Sequence, residues 1–289
     1  MLSKIEWYED NVNFEKEDDI LLFQNLYNQY HKDTLNIDKK LNTGTLGLVY
    51  LAYIENKRYI VKTHQNGIKY ANRIKKEYSI LNILYNDNLK CKLYSNDEGL
   101  HNFLLLEFLS NFKVAVSAEQ LINYYNNLSI DLIQLKNIKC EWNFYDLQKK
   151  FFFALTYLYD KKFLSDKQYG CIFRISPIID AMLKEDSCLC HGDLSNKNIF
   201  QKNSQILFLD WEDAFYGVRE YDICYWFTFF ENRKLLNKIR EIYSGYNFDR
   251  ALTLCIMVLI LKAYLSVLNG SYKNNTLSIE DRIQEFLEL

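Results

Sequence analysis

The chain has 289 residues, 49% of them hydrophobic and 25% charged, a composition that builds a buried core and excludes a disordered polymer. Thirty-five Lys and Arg against 37 Asp and Glu leave a formal charge of −2, without the basic excess of a phosphate-backbone binder, so nucleic acid is not an expected partner. Seven cysteines at scattered spacing point to reduced thiols in the cytoplasm rather than to a disulfide scaffold, and the length suits two lobes with a ligand cleft between them.

The opening MLSKIEWYED is charged and has no apolar signal core. Residues 19–30 carry apolar positions at helical spacing and predict an N-terminal helix. LGLVYLAYI at 46–54 and RYIVKT at 58–63 are β-branched and aromatic around the turn-like Glu55-Asn56-Lys57, which predicts a hairpin. Helical periodicity returns over 68–85, where Lys69, Arg73, Lys75 and Lys76 read as a solvated face. CKLYS and FLLLEFL, separated by Asp97-Glu98-Gly99, predict a second hairpin.

From Ser117 the pattern is mainly helical, with breaks near 137–143 and 164–170 and short strand-like pieces over 188–210. Several helices follow from 221 to 289. The most apolar run, LCIMVLIL at 254–261, ends at Lys262, well short of the roughly 18 residues of a membrane span, and reads as a buried helix. Cys188, Cys190 and His191 lack a second Cys/His cluster, so strand cysteines are expected there rather than a zinc site.

Three stretches carry chemistry. Asn42-Thr43-Gly44-Thr45-Leu46-Gly47 enters the first hairpin, and its glycines allow close backbone approach to phosphate. Lys62 lies inside an apolar strand and needs an anion or a route to water; Glu77 on the following helix is a ready partner. The third is CHGDLSNKNIF at 190–200, with Asp210 closing the apolar strand that follows. Asp193 and Asn198 stand five positions apart. An Asn carbonyl with an Asp carboxylate suits a hard cation such as Mg²⁺, and a second Asp is then available to orient a hydroxyl and take its proton. Each Asp or Asn alone could cap a turn. Turn-capping explains poorly why they cluster between two apolar strands.

This combination resembles the aminoglycoside phosphotransferase and choline kinase family, the small-molecule branch of the protein-kinase-like fold. His191-Gly192-Asp193-Leu194-Ser195-Asn196-Lys197-Asn198 is similar to its HGDxxxxN catalytic loop, and Asp210-Trp211-Glu212 to its metal-binding segment. The likeness spans residues 36–230 in order, through Lys62, Glu77, the hinge-like Glu107-Phe108-Leu109 and Glu220-Tyr221-Asp222. It implies an α+β, two-lobed protein: an antiparallel-sheet N-terminal lobe at 1–108, a mainly helical C-terminal lobe at 109–289, and an ATP cleft between them.

The resemblance further implies that Asp193 is the catalytic base, and that Asn198 and Asp210, with Glu212 as a further candidate, bind Mg²⁺. Lys62 would hold the phosphates of ATP, or of GTP, with Glu77 orienting it. Gly44 and Gly47 would cradle phosphate, and the backbone at Glu107 and Leu109 would receive adenine. His191 and Asp222 would support the catalytic loop. Asn42 stands where protein kinases have their first loop glycine, a departure in the phosphate cradle. Gly192 replaces the arginine of a protein-kinase HRD motif, and only twelve positions separate Asp210 from Asp222, too few for an activation loop. A protein substrate is therefore not expected.

The expected acceptor is a small-molecule hydroxyl, with no membrane span and an open oligomeric state. An amino sugar, aminoglycoside or other polyol leads; a choline- or ethanolamine-type kinase and a silent nucleotide-binding pseudokinase are the alternatives. A cationic acceptor would want carboxylates such as Glu212, Asp213, Glu220 and Glu231. A quaternary amine would want aromatics such as Trp142, Trp211, Tyr225 and Trp226. Ser195, Asn196 and Lys197 are left open, Lys197 as a γ-phosphate contact.

Overall fold

The computed structural model describes residues 1–10, 20–41, 47–64, 67–109, 117–185, 187–203 and 205–289, with 67–69, 129–131, 133 and 134 as backbone only. Gly44 and most of the glycine loop therefore lie outside the described residues, as does the side chain of Lys69. The chain divides into two compact units. One comprises Met1–Asn11, Ala115–Asn198 and Asp213–Leu289, the other Val12–Val114 and Ile199–Glu212.

The second unit is built on a five-stranded antiparallel sheet in the order β1-β2-β3-β5-β4, with β1 Leu35–Leu41, β2 Gly47–Ile54, β3 Lys57–His64, β4 Cys91–Ser95 and β5 Asn102–Glu107. Both expected hairpins are present. The first closes with Ile54 opposite Lys57, and Glu55 and Asn56 both take positive φ, 46° and 65°. That backbone matches the twist of a two-residue hairpin turn, and Asn tolerates it at little cost.

Helix α2, Ile20–Tyr30, lays Phe23, Leu26 and Tyr27 on one face of the sheet, against Leu48, Tyr50, Ala52, Val61, Phe103 and Leu105. Side chains alternate along a strand, so Val61 joins that core while Lys62 and His64 fall into a different environment. There, helix α3, Gly67–Tyr85, packs against β3, β4 and β5. The basic face expected on α3 is corrected in part. Arg73 and Lys76 are buried, and the Arg73 guanidinium lies 4.7 Å from the Tyr70 ring. A long aliphatic stem allows such a side chain to lie along the core.

The hairpin β7 Ile199–Lys202 and β8 Gln205–Phe208 belongs to the sheet unit. The Tyr85 hydroxyl accepts from the Phe208 amide at 3.1 Å, and the Lys202 ammonium reaches the Asn88 carbonyl and the Glu107 carboxylate. These bonds explain why the compact units depart from a single division at 108/109.

The helical unit holds α1 Leu2–Glu9, α4 Ala118–Gln134, α5 Phe144–Asp160, α6 Asp166–Phe173, α7 Ser176–Met182, α8 Tyr221–Phe227, α9 Lys238–Ile242, α10 Tyr246–Leu268 and α11 Ile279–Leu287. It also holds the short antiparallel pair β6 Cys188–Cys190 and β9 Phe215–Gly217. Capping boxes start three of these helices: Ser117 with Gln120, Asn143 with Asp146, and Ser165 with Gln168.

Helix α10 runs through the centre, packed on α1, α5, α7, α8 and α11. It is long and apolar enough to cross a membrane by composition, yet Leu254 to Leu261 are all buried within the unit, as a core helix requires. Helix α1 joins this unit through Glu9, which accepts from Lys150 of α5 at 2.8 Å and from the Tyr264 hydroxyl of α10 at 2.7 Å.

Candidate active site

The sheet unit assembles the first half of the predicted constellation. Lys62 on β3 is 6% exposed and Glu77 on α3 only 1%. The Lys62 ammonium donates to Glu77 Oε2 at 2.6 Å, approaches Glu212 Oε2 at 3.2 Å and bonds Asp210 Oδ1. The other Glu77 oxygen accepts the Asp210 amide at 3.1 Å, so one buried carboxylate fixes both the lysine and the backbone that presents Asp210. Asp210 takes φ 71°, a left-handed conformation that Asp adopts more readily than most residues.

One ammonium thus faces three carboxylates. Burial pushes the Glu77 carboxyl up; Lys62 pulls it down, but Asp210 and Glu212 add repulsion, and it settles at about 7. Burial would lower the Lys62 ammonium, but Asp210, Glu212 and Glu77 outweigh it and hold its pKa well above the ordinary value. Oxygens of Glu77, Asp210 and Glu212 lie within 4.8 Å of one another, a donor set and a net negative charge that fit a hard divalent cation. Gly47 sits beside this cluster: a Cβ there would stand 3.9 Å from Lys62 Cε and 4.0 Å from Glu212 Oε2.

His64, two positions after Lys62 on the same side of β3, brings Nε2 to 3.3 Å from Glu212 Oε2. Sequence reasoning missed it, although the two-residue strand period was a usable signal. At the end of β5, Glu107 accepts from the Lys90 amide at 2.9 Å, and the Phe108 amide donates to the Arg58 carbonyl at 3.2 Å. Leu109 follows, half-buried and outside regular structure.

The helical unit assembles the second half. Asp222 on α8 is fully buried and accepts from the amides of His191, at 2.7 Å, and Gly192, at 2.9 Å, as well as from the Tyr125 hydroxyl. Burial raises its carboxyl above the usual range, against the pull of His191 and these donors. Gly192 takes φ +83°, and a Cβ would lie 2.2 Å from the Asp213 carbonyl oxygen. Only glycine satisfies both conditions. His191 is fully buried, and its Nδ1 accepts the Asp193 amide at 3.3 Å.

Asp193 receives the Tyr225 hydroxyl on Oδ1 at 2.5 Å and the Lys4 ammonium of α1 on Oδ2 at 3.0 Å. Burial pushes its carboxyl up, but Lys4, the Met1 amino group and the Tyr225 hydrogen bond, against repulsion from Asp213, hold it below the ordinary value. Asn198 is buried at the end of a 3₁₀ turn, and its Nδ2 donates to the Asp193 carbonyl at 2.9 Å. Its side-chain oxygen accepts no hydrogen bond among the described residues. Lys4 escaped the sequence reading entirely, because nothing local distinguishes it from any surface lysine.

The residues held open for the acceptor are mostly committed. Asp213 accepts from Ser3 and the Met1 amino group, Glu220 pairs with Arg250 at 3.2 Å, and Glu231 accepts from Asn196 at 2.6 Å. Trp211 is fully buried, with its indole N–H on the Phe208 carbonyl; Trp226 donates to Asn196. Lys197 is exposed.

The sequence model described as "Phosphotransferase enzyme family" matches residues 39–251. The chain belongs to this family. Among solved structures, it is similar to choline kinase LicA from Streptococcus pneumoniae, at 15% identity over 93% of this chain and 97% of that one, TM-score 0.57. Aminoglycoside phosphotransferase APH(4)-Ia aligns at 10% identity over 93% and 97%, TM-score 0.60. A fructosamine-3-kinase homologue from Haemophilus somnus aligns at 18% over 92% and 96%, TM-score 0.55. At these identities the likeness shows a shared fold: α+β and kinase-like, with an antiparallel sheet and a mainly helical remainder. A comparison with curated protein sequences found no match.

Proposed function

We propose that this chain is a cytoplasmic, Mg-ATP-dependent kinase that transfers the γ-phosphate to a hydroxyl of a small molecule. The observation that carries the reading is the buried Lys62 ammonium held among Glu77, Asp210 and Glu212, a constellation with one phosphate-binding cation and an excess of metal-type oxygens. Nucleotides bound in the similar structures support it: AMP in LicA, and ADP or AMP-PNP in APH(4)-Ia.

In this reading Lys62 binds the ATP phosphates, with GTP a second donor, and Glu77 keeps it aimed. Asp210 and Asn198, with Glu212 as a further candidate, would be the ligands of Mg²⁺, which would supply charge neutralisation to the phosphates. Gly44 and Gly47 would contribute backbone contacts to the phosphates, and the backbone of Glu107 and Leu109 would receive adenine. Asp193 aims the acceptor hydroxyl and takes its proton as the new O–P bond forms and the bond from Pγ to the departing ADP oxygen breaks. Tyr225 keeps the Asp193 carboxylate in one orientation. Asp222 and His191 hold the loop that carries it.

The acceptor reading is of the polyol type. A choline-like acceptor is supported less, because the Tyr225 ring is covered by the chain's own Lys262 ammonium, 4.0 Å from its centroid. An amino-sugar or aminoglycoside acceptor would need carboxylates, and Asp213 and Glu220 already hold cations of the chain. A pseudokinase is disfavoured because every ionisable group that the transfer requires is present.

Calorimetry with Mg-ATP and with ATP plus a chelator tests the reading. Binding that depends on the metal is expected, together with loss of transfer but not of nucleotide affinity in Asp193→Ala. Wild-type protein that binds no nucleotide under either condition would refute it.

A further inference from the structure

Helix α10 carries one charge in its apolar middle, Lys262, and that ammonium has no carboxylate partner among the described residues. Its Nζ donates to the Thr228 hydroxyl at 2.8 Å and lies 3.4 Å and 4.0 Å from the ring centroids of Phe229 and Tyr225. Tyr225 is the residue whose hydroxyl holds Asp193. On the other carboxylate oxygen of Asp193 stands the Lys4 ammonium. Two ammonium groups, from helices at opposite ends of the sequence, are thus gathered around the one carboxylate assigned to the acceptor hydroxyl.

Charge balance makes this arrangement unusual for an acceptor side built to hold a cation. Asp213, the carboxylate that repels Asp193, already accepts from Ser3 and the Met1 amino group. Arg282, which also acts on Lys262, is matched by Glu285 at 2.5 Å. Lys262 itself meets, among the described residues, only aromatic faces and a hydroxyl. Burial drives its ammonium well below its ordinary range, with Lys4 and Arg282 adding repulsion and Asp193 too weak an attraction to restore it. A half-buried ammonium without a counter-ion is costly, and an anion delivered by a ligand removes that cost.

We infer that the acceptor carries an anionic group, a carboxylate or a phosphate, next to the hydroxyl that is phosphorylated, and that Lys262 and Lys4 are the residues that select it. The inference rests on the kinase reading above and narrows its acceptor from polyols at large to acidic polyols. The incoming anion takes over Lys4 and supplies the counter-ion that Lys262 lacks. Release of Lys4 from Asp193 leaves that carboxylate oxygen for the acceptor hydroxyl. A neutral polyol makes no such exchange, and a cationic one meets two like charges.

Two matched acceptor series test this: glucose, glucosamine, glucuronate and glucose 6-phosphate; and glycerol, ethanolamine, glycerate and glycerol 3-phosphate. Each is assayed for ADP release with Mg-ATP, and for binding by calorimetry with Mg-AMP-PNP present. In at least one series the carboxylate or the phosphate should bind and react better than its neutral parent by roughly 10- to 100-fold, the range of one charge-assisted hydrogen bond. The split between those two members identifies the anion.

Lys262→Met and Lys4→Gln should each erase that preference, so that the KM values of the anionic member and its neutral parent converge. Generally disturbed packing would move both values and leave their ratio as it is. Lys4 is half-buried on the short helix α1, outside the apolar core that α10 fills, so its variant serves if Lys262→Met fails to fold. Anionic members that bind no better than their neutral parents in both series overturn the inference, as does a preference that survives both substitutions. Failure of the kinase reading is separate and would show as wild-type protein that binds no Mg-nucleotide at all.

Discussion

Replacement of Lys62 by Met removes the ammonium that, among the described residues, pairs with all three carboxylates of the cluster, and keeps the side-chain volume nearly constant. Glu77, at 1% exposure, bears most of the consequence; the Asp210 side chain, 38% exposed, is screened by water. Loss of one partner of a buried ion pair costs about 3–5 kcal/mol when the remaining charge stays ionised. Glu77 already titrates at about 7 with Lys62 present, and Lys62 is the group that lowers it, so without the lysine it titrates higher still. A carboxyl raised above its unfolded value of about 4.3 binds its proton in the folded state first, so stability grows as pH falls through the folded pKa. At pH 5 Glu77 of the variant is neutral and the penalty shrinks to lost hydrogen bonds, about 1–2 kcal/mol. The stability gap between variant and wild type should therefore be about 2–3 kcal/mol larger at pH 8 than at pH 5. Two compact units make a single global melt ambiguous, so amide exchange of β3 and α3, in a chelator, reads the sheet unit directly. A gap equal at both pH values, or larger at pH 5, refutes the assignment of a buried ionised Glu77 held by Lys62.

Gly192→Ala should lose roughly 2–4 kcal/mol, from a left-handed backbone and a Cβ placed against the Asp213 carbonyl; an unchanged urea midpoint would show that the loop relaxes freely. Asp222→Asn keeps the shape but trades an acceptor oxygen for an N–H pointed at a backbone donor. About 2–3 kcal/mol should vanish, with faster exchange of the His191 and Gly192 amides as the readout, and protected amides would count against the tether. Tyr225→Phe removes a hydrogen bond that favours the ionised form of Asp193, so the acid limb of kcat/KM should move to higher pH. An unmoved limb would mean that another group controls it.

The parts of the fold visible in the sequence are those set by local chemistry. Glu55-Asn56 marks its hairpin because few residues tolerate two successive positive φ values, and Ser117 with Gln120 writes a helix start. Strand β1 is not visible in the sequence: LNIDKKL is an edge strand in which only Leu35 is buried and the register shifts between Ile37 and Lys39, so its pattern reads as loop. Helix α1 was hidden for a related reason. Its polar side chains Ser3, Lys4 and Glu9 answer to Asp213, Asp193, Lys150 and Tyr264, all distant in sequence. The site divides the same way: HGDxxxxN and the strand before Asp210 carry their own signature, while the partners of Asp193, Lys4 and Tyr225, stand 189 and 32 positions away. Lys262 was conspicuous as the charge that ends an apolar run, but its neighbours Phe229 and Tyr225 are set by packing between α10 and α8 and the turn that follows it.

The chain crosses from the helical unit to the sheet unit at 198/199 and returns at 212/213. Those crossings have a practical consequence for anyone dissecting the molecule. A fragment ending near the hinge retains Lys62 and Glu77 but discards Asp210 and Glu212, so it displays a plain one-to-one ion pair with no surplus negative charge. The complementary fragment keeps Asp193 and Asn198 yet carries a hairpin stripped of the Tyr85 and Glu107 groups that anchor it. Neither half can be cut out as one continuous stretch without losing part of its own site. Circular permutation, which would open the backbone elsewhere while leaving both crossings intact, is the better route to rearranging this protein.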